Sequence, residues 1–407
     1  MAQVQKGIIM IADISGYTTY LSESELEHAN SVLQTLLEVL IENTHLPMII
    51  SRLQGDAVVS YATDGSFLLG ASVLEMVETC YIAYRRAIEL MVVNTSCTCN
   101  ACKNMPKLDL KFFIHHGEFA LQQLPAYTEL VGFDVNVIHR LVKNHVKERT
   151  SYQAYAMFTR AAIQALSISE LTQEMVQLQE SYEDVGTIDI FVMDMHPVWE
   201  SGRNLTRLTV EEEEAVTILE YDFPVTMVQL WDYLVKPDGR AIFLNSQSAV
   251  VENVSGGRAG NGTVYVCAHG SMVIRQTIVD WQPFETHTVY DNTFGMPGYS
   301  TFQLSETENG SHLKVLIGPI QSKNPLKRWV GALMIKLMPK LFGNTGPQKF
   351  RQRIEEDLAS GVLQAPQISK GDREALVHSM RAALAGMQSG ENHSSSTIPS
   401  ASNTSKP

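Results

Sequence analysis

Two short stretches constrain this chain most. Ile8–Tyr20, reading IIMIADISGYTTY, is an apolar run that admits one acid, Asp13, and breaks at Ser15–Gly16. Leu53–Tyr61, reading LQGDAVVSY, carries Asp56 directly after Gly55. A short apolar run bounded by turn signals reads as a buried strand, and a glycine between two such runs reads as a hairpin turn. The pattern therefore predicts two carboxylates, each where a buried strand meets a turn. Mg²⁺ or Mn²⁺ takes hard oxygen ligands on rigid backbone and keeps positions open for substrate phosphates, so the placement suits a two-metal phosphoryl-transfer site. Acids at such places also cap turns and helices. Spacing alone leaves both readings open.

The surrounding pattern is regular. Ala29, Leu33, Leu36, Leu37 and Leu40 recur at helical spacing, and Pro47 closes that helix. Met48–Leu53 and Ala57–Ala62 form the two arms of the hairpin, and a second long helix covers about Phe67–Val93. Leu108–His116 reads as a strand, Asp134–Val146 as a helix, and Tyr152–Phe158 and Ile188–Met193 as strands. This β-α-β-β-α-β order is the split βαβ, ferredoxin-like arrangement, so the fold class is α+β.

IADISGYTTYL, LQGDAVVSYA, FFIHHGEF and LVGFDVNVIHRL, in this order over about the first 195 residues, resemble the four landmarks of class III adenylate/guanylate cyclases. Asp13 and Asp56 match that family's metal-binding aspartates, and Ile14 matches the residue that offers its backbone carbonyl to one ion. Arg52 falls where adenylyl cyclases keep a purine-reading Lys and guanylyl cyclases a Glu. Glu129 falls at the second purine-reading position. Asn136 and Arg140 match the Asn that orients the ribose and the Arg that stabilises the transferring phosphate. In the family these last two come from a partner subunit, so the resemblance implies a head-to-tail homodimer, a purine nucleoside triphosphate as substrate, two divalent ions as cofactors and a cyclic nucleotide as signalling product. Two departures stand out. Gly186–Ile190, GTIDI, lacks the family's phosphate-binding Lys, and Arg52 is neither usual purine reader. Arg52 either reads a purine or pairs with Glu129 across the base pocket.

Thr95–Lys103, TSCTCNACK, places Cys97, Cys99 and Cys102 in a connection between helix and strand. C-x-C-x₂-C brings three thiolates to one point, which suits a structural Zn²⁺; the fourth ligand is expected from Cys80, His115, His116 or a dimer mate. Free thiols or a redox-labile pair are the alternative.

Residues 1–197 are thus read as the cyclase-like domain and 198–212 as a linker. From 213 to 361 the order is a strand, a helix holding Val228, Trp231 and Leu234, a run of strands between Ser248 and Ile317, and a long helix. FPVTMVQLWDYLVKP, the GGRAGNGTVYVC turn and the late helix resemble the START-like, polyketide-cyclase-like (SRPBCC) helix-grip fold. That resemblance implies an apolar small molecule held between the long helix and a curved sheet. His269, Asp280 and His287 are isolated and form no acid–base set. Leu326, Trp329, Val330, Leu333, Met334, Leu337, Met338 and Leu341 share one face of the long helix, as a core helix or the lid of a cavity requires. From Asn309 through Ile354 there is no Asp or Glu, while Lys323, Lys327, Arg328 and Lys336 are all present. Such a segment suits peripheral contact with anionic lipid, or simply a solvated face. A helix is expected over Glu374–Ala385, within a mostly disordered tail from 362 to 407.

Composition narrows the partners. The 31 Lys and Arg against 44 Asp and Glu give a net charge of −13, which argues against nucleic acid as a partner. Asp13 interrupts the N-terminal apolar run, so it is not read as a signal peptide, and five cysteines without a disulfide framework point to the cytoplasm. The expectation is a cyclase-like protein coupled to a ligand-binding domain; the alternative is a non-catalytic nucleotide-sensing and dimerisation module.

Overall fold

The structure, a computed structural model, describes residues 4–124, 128–252, 254, 258–293, 295–342 and 345–389. It is built on two sheets. The first begins with β1 (Val4–Ser15), followed by α1 (Tyr17–Ser22) and α2 (Leu26–Glu42). The hairpin β2 (Ile49–Gln54) and β3 (Ala57–Thr63) leads into α3 (Ala71–Asn94), the short α4 (Asn100–Asn104) and β4 (Asp109–Gln123). Then come β5 (Thr128–Val131), α5 (Phe133–Leu141), α6 (Val146–Thr150), β6 (Tyr155–Thr159) and α7 (Arg160–Ala165). A hairpin, β7 (Val176–Tyr182) and β8 (Gly186–Asp194), and α8 (His196–Gly202) complete this unit.

The strand order is β2-β3-β1-β4-β6-β8-β7, with β5 paired to β4. Neighbours among the first four strands are antiparallel, with β3 between the parallel β1 and β2, which is the split βαβ order. β1 looks uniformly apolar because the sheet is covered on both faces. Ile8, Met10, Ala12 and Ile14 lie on the side of α2 and α3, whereas Ile9 and Ile11 lie with Val135, Ile138 and Leu141 of α5. The helix expected through Val146 breaks after Leu141, and β7 forms where no strand was expected. Most of its side chains are exposed, as suits an edge strand, so it carries no apolar signal.

The second unit opens with β9 (Thr217–Phe223), α9 (Met227–Val235) and α10 (Pro237–Phe243). Six strands follow: β10 (Ser248–Glu252), β11 (Val264–His269), β12 (Met272–Gln282), β13 (Thr286–Thr293), β14 (Met296–Thr307) and β15 (Gly310–Ile317). They pair successively and antiparallel, and β15 closes on β9. Among the described residues three helices follow: α11 (Pro325–Phe342), α12 (Thr345–Ala359) and α13 (Lys370–Ser389). Among the described residues no helix is long and apolar enough to cross a membrane.

One expectation fails here. The apolar stripe on α11 is not buried: Leu326, Trp329, Val330, Leu333, Met334 and Leu337 are all exposed. The helix turns its small residue, Gly331, inward against Ile320. The covering position falls instead to α12, whose Phe350 packs edge-on against Phe223, Tyr233 and Phe243. Met338 and Leu341, the other two stripe residues, have side chains outside the described set.

The two units share a continuous apolar core. The chain beyond α12 returns to the first unit, where Gln364 and Gln367 bond to Thr63, and Arg373 pairs with Glu306 while donating to the Thr44 carbonyl. The helix expected over Glu374–Ala385 starts earlier, at Lys370; residues 390–407 lie outside the described set.

Candidate metal and nucleotide site

Asp13 lies near the end of β1 and Asp56 in the β2–β3 turn, where Gly55 takes φ +63°. The register sets Asp13 opposite Ala57, and the Ile14 N–H donates to the Asp56 carbonyl at 3.3 Å. The two acids are thereby held side by side, half-buried. Burial, and after it the Asp56 charge, raise the Asp13 carboxyl to about 7 against the opposing Lys111. Burial also raises Asp56. Two carboxylates resisting simultaneous ionisation are a donor set that a divalent cation relieves. Ile14 is buried and paired with Leu110 across the sheet, so its backbone position is rigid.

Sequence reasoning missed Lys111. It stands opposite Asp13 in the β1–β4 register, its ammonium 5.3 Å from the centre of the Tyr155 ring. Its available signal was a cation inside an otherwise apolar strand. A cavity of about 360 Å³ lies at the other end of β1, lined by Ile8, Thr63, Asp64 and His116, and includes none of these groups. Chemistry rather than cavity size locates the site.

Arg52 and Glu129 meet as an ion pair, both half-buried. Arg52 also donates to Gln54 at 2.8 Å and lies 3.5 Å from His139 Nε2. In this conformation the guanidinium is tied within the chain. Asn136 and Arg140 are exposed, one turn apart on α5. Arg140 donates to Asp184 at 2.9 Å, in the β7–β8 hairpin. That hairpin and the β2–β3 hairpin bearing Asp56 are at opposite edges of the sheet. Within one chain the Arg140 guanidinium is engaged at the β7–β8 hairpin.

Asp134, in the first turn of α5, accepts from the Glu118 N–H at 2.6 Å and lies 3.2 Å from His115 Nε2. A Cβ on Gly117 would lie 2.2 Å from its carboxyl carbon. His115 also contacts Thr159 and His116 contacts Asp64, so neither reaches the cysteines. Cys80 is buried in the core, where burial pushes its thiol up to about 12. The group beside Cys97, Cys99 and Cys102 is His28, which no spacing argument had linked to them.

A family model described as "Protein of unknown function (DUF2652)" matches residues 33–152. A protein of Mycobacterium tuberculosis named "Uncharacterized protein Rv2561/Rv2562" is 29% identical over 166 residues, 40% of this chain and 75% of that protein. Among solved structures, a bacterial light-regulated adenylyl cyclase aligns at TM-score 0.35 and 13% identity, over 48% of this chain. The chain spans about half of that cyclase, 54% of its length. The adenylyl cyclase CyaB from P. aeruginosa aligns at TM-score 0.33 and 16% identity, over 47% of this chain and 95% of that one.

Proposed function

We propose that the first unit binds a purine nucleoside triphosphate together with divalent cations, and that a homodimer converts it to a cyclic nucleotide. The carrying observation is the forced pairing of Asp13 and Asp56, with Asp13 raised to about 7. Their oxygens and the Ile14 carbonyl would hold Mg²⁺ or Mn²⁺, whose charge stabilises the attacking and leaving oxygens at the α-phosphate. Lys111 supplies fixed positive charge beside the acids, a role GTIDI does not offer. Asn136 would orient the ribose and Arg140 would neutralise the phosphoryl group, both reaching a second chain's Asp13 and Asp56. The exposure of Asn136 and Arg140, with Arg140 paired to Asp184 in the β7–β8 hairpin, supports that reading. Purified protein with Mn²⁺ and ATP or GTP should form cyclic product, and Asp13→Ala or Asp56→Ala should abolish it. No product with either nucleotide would overturn the catalytic version.

A second reading has its own support. Arg52 is occupied by Glu129 and Gln54, and Arg140 by Asp184, as in a non-catalytic nucleotide-sensing module. Calorimetry then gives nucleotide binding without turnover.

For the second unit, we propose a START-like domain that takes an apolar small molecule and alters the dimer geometry of the first. The strand order supports this, with two helices between β9 and β10 and a late helix across the sheet. Trp231, Phe243, Tyr265, Phe302 and Phe350 line an aromatic interior, with His287 fully buried and neither ring nitrogen hydrogen-bonded. Native mass spectrometry of the intact chain tests for a co-purified ligand.

The exposed stripe of α11 supports peripheral contact with anionic lipid. At 100° per residue, Lys327 and Lys336 flank the apolar face at about a right angle on either side, where their stems snorkel while the ammonium groups reach headgroups.

A further inference from the structure

We propose that Cys97, Cys99, Cys102 and His28 bind one structural Zn²⁺ that clips the connection after α3 onto the first turn of α2. His28 Nδ1 lies 3.2 Å from Cys99 Sγ, 3.5 Å from Cys97 Sγ and 3.9 Å from Cys102 Sγ. The four ligand atoms all lie within 4.8 Å of one another. Tetrahedral Zn²⁺, with Zn–S near 2.3 Å and Zn–N near 2.0 Å, separates its nitrogen and sulfur ligands by roughly 3.5 Å. Each of the three N···S distances needs to change by less than about half an ångström to meet that geometry.

Hydrogen-bond donors reach two of the three sulfurs. The Cys102 N–H donates to Cys99 Sγ at 3.4 Å and the Thr95 hydroxyl to Cys102 Sγ at 3.7 Å. Hydrogen bonds from Cys99 hold the Cys97 thiol below its ordinary value. The carboxylate of Glu25 accepts the Ala101 N–H at 3.0 Å, fixing α4 on the start of α2 before any metal arrives. None of the five cysteines is in a disulfide, and the three of the cluster are half-exposed, so a metal ion can enter. Binding deprotonates the three thiols and releases their protons to solvent. A hard Mg²⁺ would not select this set; three sulfurs and an imidazole select Zn²⁺.

The clip bears on the turn after Asp13. Tyr20 of α1 is buried beside Cys99 and Cys102, and Gly16 faces the Lys107 carbonyl, 3.6 Å from where its Cβ would stand. Metal in this set holds the connection and α1 together immediately behind the β1 turn. The inference does not rest on the nucleotide reading.

The full chain, purified under reducing conditions without added metal, should carry one zinc by plasma mass spectrometry. Replacement by Co²⁺ should give thiolate charge-transfer and tetrahedral ligand-field bands. Cys99→Ser should remove binding, His28→Ala should weaken it at least tenfold, and His28→Cys should retain it with an altered Co²⁺ spectrum. Metal-free protein with three titratable thiols and no Co²⁺ spectrum would overturn the site, as would a disulfide within the cluster or an iron chromophore. An unchanged spectrum in His28→Ala would overturn the assignment of His28. The wild-type metal content decides the matter even where a variant fails to fold.

Discussion

Asp232, buried in α9 of the second unit, accepts a hydrogen bond from the Ser72 hydroxyl in the first turn of α3 of the first unit. It also accepts the N–H groups of Leu68 at 3.1 Å and Leu69 at 3.0 Å. One carboxylate thus fastens the segment that enters α3. The adjacent Arg258–Glu78 pair, at 2.6 Å, and Gln229, which donates to the Ser66 carbonyl at 3.0 Å, tie the same seam.

Asp232→Ala should therefore destabilise the whole chain. It orphans buried donors, and leaving such groups unsatisfied costs roughly 1–3 kcal/mol each. Urea denaturation should show a lower midpoint and separate transitions for the two units. An unchanged single transition would refute the role of the seam.

The same residue makes stability depend on pH. Burial pushes Asp232 up to about 7 against its hydrogen bonds, whereas its ordinary value is 3.8. Between these values the folded chain holds a proton that the unfolded chain has lost, so stability falls as pH rises from about 4 to about 7. Asp13 and Glu75 are raised similarly, so the measurement is the difference between wild type and Asp232→Asn. The variant should show a shallower decline over that window; parallel curves would exclude Asp232 as the cause.

The Arg52–Glu129 pair separates recognition from metal binding. Arg52→Lys replaces a planar fork by a point charge. If Arg52 faces the base when nucleotide binds, the ratio of ATP to GTP affinity should change by about tenfold, the equivalent of one hydrogen bond of roughly 1.4 kcal/mol. Mn²⁺ affinity in the absence of nucleotide should stay constant. A constant ratio would reduce the pair to a structural tie.

Gly117→Ala tests the β4 position that follows the paired histidines, opposite Gly7 of β1. The new Cβ would stand 2.2 Å from the Asp134 carboxyl carbon, so Asp134 must leave the Glu118 N–H. Overpacking of this kind costs typically about 1–3 kcal/mol. A melting temperature within error of wild type would contradict that geometry.

How much of this was legible in the sequence differs by element. β1 and the hairpin announced themselves because burial on both sheet faces leaves apolar runs ended by Gly16 and Gly55. β7 was invisible because an exposed edge strand needs few apolar residues. The Asp13–Asp56 pairing followed from two turn positions, but Lys111 was missed because strand register, not spacing, brings it to Asp13. His28 lies about seventy residues from the cysteines, and only the packing of α2 against α4 joins them. The α11 stripe had the correct periodicity and the wrong destination, since period reports which residues share a face, not what covers it.

That stripe carries the last prediction. In a chain of net charge −13, a basic segment with an exposed Trp329 should bind phosphatidylserine vesicles and ignore neutral ones. Trp329 fluorescence should shift to the blue on binding, and raised salt should reverse it. Each basic residue near an anionic surface contributes about 1 kcal/mol, so Lys327→Glu with Lys336→Glu should weaken binding by about tenfold or more. Leu333→Asp should weaken it regardless of salt, because it removes apolar contact. Loss of binding in the charge variant alone would mean surface attraction without insertion. Salt-insensitive self-association, with no response to vesicles, would show instead that a second copy of the chain covers this face and would overturn the lipid assignment.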